Sequence, residues 1–215
     1  SNGGHGVITP GAVQWMTAGS GVVHSEMPTN QMMRNGGRMH GFQLWVNLPA
    51  AKKMIPPRYQ GYEAHEIPQK QLDTDGGVLR VIAGVVDGVA GIVDTTSPAT
   101  YAHLTLRAGQ TFTWSPEDGH TVLVHVFVGS ATVNNTLADD GHMVVCERSA
   151  GHVEIEAGSD GAEILLLAGQ PLYEPVARYG PFVMNTREEI IQAFEDFEAG
   201  RLGAIVASGP GVSRS

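Results

Sequence analysis

Residues 11 to 28 read Gly11-Ala12-Val13-Gln14-Trp15-Met16-Thr17-Ala18-Gly19-Ser20-Gly21-Val22-Val23-His24-Ser25-Glu26-Met27-Pro28. Two short β-type runs, Val13 to Met16 and Val22 to Glu26, are punctuated by glycine. On an extended strand, residues two apart project to the same face. His24 and Glu26 therefore point together, while Val23 and Ser25 point the other way. An imidazole and a carboxylate converging inside a β-barrel are two ligands for a cation. A lone buried carboxylate carries a desolvation penalty on the order of several kcal/mol, which a metal removes.

The rest of the composition agrees with a packed β protein. Of 215 residues, 42% are hydrophobic and 16% charged, enough to build a real core. The 28 glycines and 12 prolines fall between short apolar runs and predict many tight turns. A net charge of −9 opposes encounter with a phosphate backbone, so direct nucleic-acid binding is not expected. No stretch approaches the ~18 apolar residues of a membrane span. The single cysteine, Cys146, has no intramolecular partner, so nothing points to an oxidising compartment and a cytoplasmic setting is expected. Within Met143-Val144-Val145-Cys146-Glu147 it reads as a buried strand thiol, the alternative being a reactive one. The opening Ser1-Asn2-Gly3-Gly4-His5-Gly6 has a turn composition and reads as the middle of a hairpin.

Further β runs follow at Val7-Ile8 and from His40 to Leu48, where Phe42, Leu44, Val46 and Leu48 alternate with Gln43, Trp45 and Asn47. Pro49, Pro56, Pro57 and Pro68 then break the pattern and predict a linker or covering loop over 56–68. Beyond it, strands recur at roughly the 8–12-residue spacing of a sandwich or barrel. They are predicted at Val78 to Ala83, Tyr101 to Leu106, Thr111 to Trp114, Thr121 to Val128, Ala131 to Asn134, Met143 to Cys146, His152 to Ile155 and Ala162 to Leu167. Ala108-Gly109-Gln110 and Glu156-Ala157-Gly158 read as turns. Two successive β-blocks suggest a duplicated barrel.

One helix is well signalled over 187–199. Thr186 and Glu189 fit a capping box, Ile190, Ile191, Phe194 and Phe197 share one apolar face, and Gly200 stops the helix. Burial of those four side chains is worth roughly 1.5–3 kcal/mol each. The helix docks on its own barrel or presents a partner-binding face. Residues 208–215 are expected to be a disordered tail.

Three strings then resemble the pirin family of bicupin proteins. The first runs from Pro10-Gly11 through Trp15 to His24-Ser25-Glu26-Met27-Pro28. The second is Gly41-Phe42-Gln43-Leu44-Trp45-Val46-Asn47-Leu48-Pro49, followed by Lys53-Met54 and Pro57-Arg58-Tyr59-Gln60. The third is Gly169-Gln170-Pro171-Leu172, Glu174-Pro175-Val176 and Tyr179 to Thr186, with Glu189-Ile190 in the helix. The resemblance implies an all-β fold of two cupin barrels, each a double-stranded β-helix, packed together with a C-terminal helix. It places residues 1–55 in the remainder of an N-terminal metal-binding cupin and residues 69–207 in a C-terminal cupin.

The resemblance also implies one mononuclear iron site, in the N-terminal barrel, held by three His and one Glu. His24 and Glu26 stand in the family's His-x-Glu positions. The remaining two ligands belong to a His-x-His pair expected upstream of Ser1, so the barrel is read as lacking its opening strands. Two ligands fall short of the two-His-one-carboxylate face usual for non-haem iron, and another divalent transition metal suits the same donors. His5, His40, His103, His120, His125, His142 and His152 show no pair at two-residue spacing and read as surface or satisfied core residues.

Two functions follow from the resemblance. One is an iron-dependent dioxygenase cleaving flavonols such as quercetin, with Glu26 as general base, the metal as Lewis acid and template, and loss of carbon monoxide. Its substrate is a small planar aromatic, with Trp15, Met16 and Met27 as pocket wall or as plain core. The other is a non-enzymatic, iron-dependent regulator of transcription that binds a protein partner. A metal-free structural bicupin is a third reading.

Overall fold

The computed structural model describes residues 6–72, 76–148 and 151–203, and the backbone of 206–208. His5 and residues 209–215 of the expected tail lie outside them. The regular structure is mostly β-strand, and the chain divides into two compact units, one of residues 1–64 with 173–215 and one of residues 65–172. That division differs from the sequence expectation, which gave everything from 69 to 207 to the second barrel.

The first unit begins with β1 (Val13–Thr17), helix α1 (Asn30–Asn35), a single 3-10 turn over Ala50–Lys52 and β2 (Arg58–Tyr62). β2 pairs antiparallel with β1, Trp15 opposite Gln60. The expected linker is thus a strand at its centre. Pro56 and Pro57 sit immediately before it, where a missing N–H removes no ladder bond. Helix α1 has no counterpart in the sequence reading, although Thr29 caps it by accepting from the backbone N–H of Met32 at 3.2 Å. Val7-Ile8, Val22 to Glu26 and His40 to Leu48 are not strands. Alternation reports which face a side chain takes, whereas a strand also needs a neighbour to complete its ladder. Those segments form no ladder among the described residues, and Phe42, Leu44 and Val46 stay exposed.

The second unit contains β3 (Gln69–Gln71), β4 (Val78–Ala83), β5 (Val85–Val86), β6 (Val89–Ala90), β7 (Ala99–Leu106), β8 (Thr111–Trp114), β9 (Thr121–Val133), β10 (Thr136–Asp139), β11 (Met143–Cys146) and β12 (Val153–Gly169). Its principal sheet has the order β10-β9-β12-β7-β4-β3, with β11 on β9 and β8 on β12. Period-2 patterning supplies the core. Ala102, Leu104 and Leu106 of β7, Val122, Val124 and Val126 of β9, and Ile164 and Leu166 of β12 are buried in one cluster with Trp114. Truncating a site such as Leu104 to Ala costs about 2–5 kcal/mol. The β9–β10 hairpin turns through Asn134 and Asn135, with φ of +45° and +66°. These are the left-handed values a two-residue hairpin loop requires.

Two pairs of predicted strands prove to be single long ones. Thr121 to Val128 and Ala131 to Asn134 merge in β9, and His152 to Ile155 and Ala162 to Leu167 merge in β12. The expected turn at Glu156-Ala157-Gly158 lies inside β12. Register shifts between Ala157 and Ala162, and between Glu163 and Ile164, bend the ladder without ending it. Glycine marks these bends: Gly129 of β9 sits against the Gly161 carbonyl so closely that a Cβ would collide with it. Cys146 is buried, as expected, and burial pushes its thiol up.

The chain returns to the first unit with β13 (Ala177–Tyr179), β14 (Phe182–Met184), α2 (Arg187–Glu198) and β15 (Val206–Ser208), the last pairing parallel with β2. The capping box is formed: Thr186 Oγ1 accepts from the Glu189 N–H at 3.2 Å, and Glu189 Oε2 accepts from the Thr186 N–H at 2.9 Å. The apolar stripe is only partly used. Ile190 is buried and Phe194 packs edge-on against Tyr179 and Phe182 of the β13–β14 hairpin, but Ile191 and Phe197 remain about half exposed, at 50% and 49%. A two-stranded hairpin is narrower than the helix face it receives.

A polar knot binds this segment to the 47–53 loop. Buried Lys53 donates from Nζ to Asn47 Oδ1 at 2.6 Å and to the Val183 carbonyl at 3.2 Å. Glu174 Oε2 accepts from the Ala50 N–H at 2.7 Å and from Asn185 Nδ2 at 3.3 Å. Burial pulls the Lys53 ammonium below its ordinary range, with Glu174 and Glu189 acting against that.

Candidate metal centre

His24 and Glu26 lie in an irregular segment six residues or fewer ahead of α1 and after β1, rather than on a strand. They still point together: His24 Nε2 is 4.0 Å from Glu26 Oε1. Their side chains are 44% and 63% exposed, so in this chain the pair meets solvent. The donor chemistry, one imidazole nitrogen and one carboxylate, suits a borderline divalent ion such as iron. The number of donors does not complete a site. Among the described residues no group of three or more His, Cys, Asp or Glu is arranged to hold a metal ion. The pair therefore fits as part of a ligand set and not as a whole one.

The surrounding candidates are mixed. Trp15 and Met16 are half-buried on β1, while Met27 is 74% exposed and takes no part in a core. His40 tilts against Phe42, ring centroids 5.3 Å apart. Arg178 stacks over exposed Trp45 at 5.2 Å.

The scattered histidines of the second unit are partly satisfied as expected. His125 Nδ1 lies 3.0 Å from the His142 carbonyl, and His142 Nδ1 lies 3.0 Å from that of Asp139. One relationship is absent from the sequence reading. His103 of β7 and Glu163 of β12, sixty residues apart, form a short Nε2–Oε2 hydrogen bond. Thr105 Oγ1 donates to the same Oε2 at 2.8 Å. Burial works to raise the Glu163 carboxyl, but the bonds from His103 and Thr105 outweigh it and hold the group below its ordinary range. His103 and Thr105 share a face because they are two apart on one strand, a visible signal; that Glu163 adjoins them depends on the β7–β12 register.

The β fold is that of the cupin class. The family model for the pirin C-terminal cupin domain matches residues 101–203, and the pirin model matches residues 1–46. A pirin-like protein of Caulobacter vibrioides is 45% identical over 204 residues, covering 94% of this chain and 71% of that protein. Human pirin is 36% identical over 206 residues, with coverages of 93% and 68%. The crystal structure of a quercetin 2,3-dioxygenase from Acinetobacter baumannii superposes with a TM-score of 0.85 at 41% identity, covering 93% of this chain and 69% of that one. The chain belongs to the pirin family.

Proposed function

We propose that this chain belongs to a metal-dependent dioxygenase that opens the heterocycle of flavonols such as quercetin. The observation that carries the reading is the His24–Glu26 pair, held on one side at 4.0 Å within a chain 41% identical to a quercetin 2,3-dioxygenase. His24 and Glu26 would supply two of the metal's ligands. A divalent metal, iron in our reading, would supply Lewis-acid and redox chemistry when bound. Glu26 takes the proton of the flavonol hydroxyl as general base. Trp15 or Met16, which take opposite faces of β1, offers apolar surface to a flat ring. The intracellular milieu, where a lone thiol such as Cys146 stays reduced, is the setting we infer.

The test uses the full-length protein loaded with iron(II). Quercetin is added under oxygen, its visible absorbance is followed, and bound metal is measured by elemental analysis. Wild type should consume quercetin. His24→Ala and Glu26→Gln should each lose metal and at least ~100-fold in turnover, the scale of removing a general acid–base contribution. Undiminished turnover in both variants overturns the assignment.

A second reading, a non-enzymatic regulator that binds a protein partner, is supported by the exposed apolar run containing Met39 (74%) and Trp45 (55%). Iron-loaded wild type without quercetin turnover would favour it.

A further inference from the structure

Asp118 and Gly119 occupy the two central places of an exposed turn between β8 and β9. The His120 N–H closes that turn on the Glu117 carbonyl at 3.2 Å, and Gly119 has a φ of +76° with open space where a Cβ would stand. A left-handed residue in the third place is what a type II turn requires. The closing bond spans the central peptide and leaves the Gly119 N–H outside it. Among the described residues neither that N–H nor the Asp118 carboxyl has a hydrogen-bond or ion-pair partner. A backbone nitrogen can attack the side-chain carboxyl of the residue before it, and glycine, with no Cβ, obstructs that attack least.

The same Asp-Gly step recurs along the second unit, with one of its reacting groups engaged or shut in. Lys70 Nζ donates to Asp87 Oδ2 at 2.7 Å and holds that carboxylate ionised beside Gly88. The Gly141 N–H after Asp140 donates to the Val126 carbonyl at 2.9 Å. Gly161 after Asp160 lies inside β12, with the Leu106 carbonyl oxygen 2.7 Å from where its Cβ would stand. Among the described residues, both groups are open at Asp118–Gly119 alone.

We propose that the Asp118–Gly119 peptide is a site of spontaneous covalent modification, the isomerisation of aspartate to isoaspartate. The Gly119 nitrogen attacks the Asp118 side-chain carboxyl carbon in its neutral acid form. An N–C bond forms, the carboxyl hydroxyl leaves with the amide proton as water, and a cyclic imide results. Water then adds to the Asp118 main-chain carbonyl and breaks its bond to the Gly119 nitrogen. The chain now runs through the former side chain, one methylene longer, and the former main-chain carbonyl carries the free carboxylate. Mass is unchanged. The added methylene lies between Glu117 and His120, so the turn opens. His120 is only 7% exposed, and its Nε2 lies 3.4 Å from Glu117 Oε2. The modification therefore loosens a buried residue at the start of β9.

The experiment ages the full-length protein at neutral pH in heavy-oxygen water, then digests it and maps the peptides by mass spectrometry. Each opening of the imide leaves one heavy oxygen at the residue that reacted. Label should accumulate at Asp118 about tenfold faster than at Asp87, Asp140 or Asp160, the factor that one retained hydrogen bond sets on a rate. In urea-unfolded protein the four sites should label alike. Amide exchange at His120 should rise as the isomer accumulates. Label at Asp118 no faster than at the other three sites, or a folded pattern matching the unfolded one, overturns the site. Unchanged exchange at His120 in the isomerised chain overturns its effect on the turn.

Discussion

Lys53 donates to the main-chain carbonyl of Val183, 130 residues further along the chain, at 3.2 Å. The contact ties the loop after the Gly41–Leu48 string to the β13–β14 hairpin, and Asn47 takes a second bond from the same ammonium. Both carbonyl-type acceptors lose a donor if the ammonium is removed. Lys53→Met keeps the apolar stem and should lower unfolding stability by about 1–3 kcal/mol. Urea denaturation compares the two proteins; an unchanged midpoint shows the knot contributes nothing net.

The Glu163 carboxyl gives a pH-dependent prediction with a defined sign. Its folded value lies below the ordinary 4.5, so the unfolded chain binds its proton first as pH falls. The stability it contributes is present above that ordinary value and is lost as pH drops through the lowered folded value. Glu163→Gln should therefore be less stable than wild type near neutrality, and the gap should narrow at about pH 3. Midpoints measured at both pH values decide it; a gap that widens in acid contradicts the His103–Thr105 account.

Gly129 has a φ of +75°, and a Cβ there would strike the Gly161 carbonyl oxygen. Gly129→Ala combines a left-handed backbone with a main-chain collision that no rotamer relieves. A loss of at least ~2 kcal/mol in stability is expected, read as a fall in thermal midpoint. Gly141 has a similar φ but open space around it, so Gly141→Ala should cost less.

Thr186→Ala removes the oxygen that accepts from the Glu189 N–H. Helix α2 rests on a small hairpin, with Ile190 as its one buried residue, so its cap matters more than it would for a deeply packed helix. The expected loss is about 1 kcal/mol. Amide exchange in the first turn of α2 should rise, while that of the β9–β12 ladder stays unchanged.

Much of this was legible because local rules were enough. The β4, β8 and β11 spans and the α2 cap follow from alternation and from Thr186–Glu189 alone. Continuous β9 and β12 were hidden because Gly129, Gly158 and Gly161 signal a turn and a bulge alike, and only the partner strand tells them apart. The two-residue spacing of His24 and Glu26 was visible, but the strand it implies is not formed. Their 4.0 Å approach in an irregular segment and their exposure were both decided by the tertiary structure, since burial depends on what lies over a segment.

What the sequence determined by itself is the β-rich character, the family, the helix and its cap, and which side chains could share a face. Tertiary structure alone decided the merging of strands, the return of residues 173–215 to the first unit, and the meeting of His103 with Glu163. The physical reason is range. Periodicity and capping are set within a few residues by backbone geometry, whereas register and burial are fixed by partners tens of residues away.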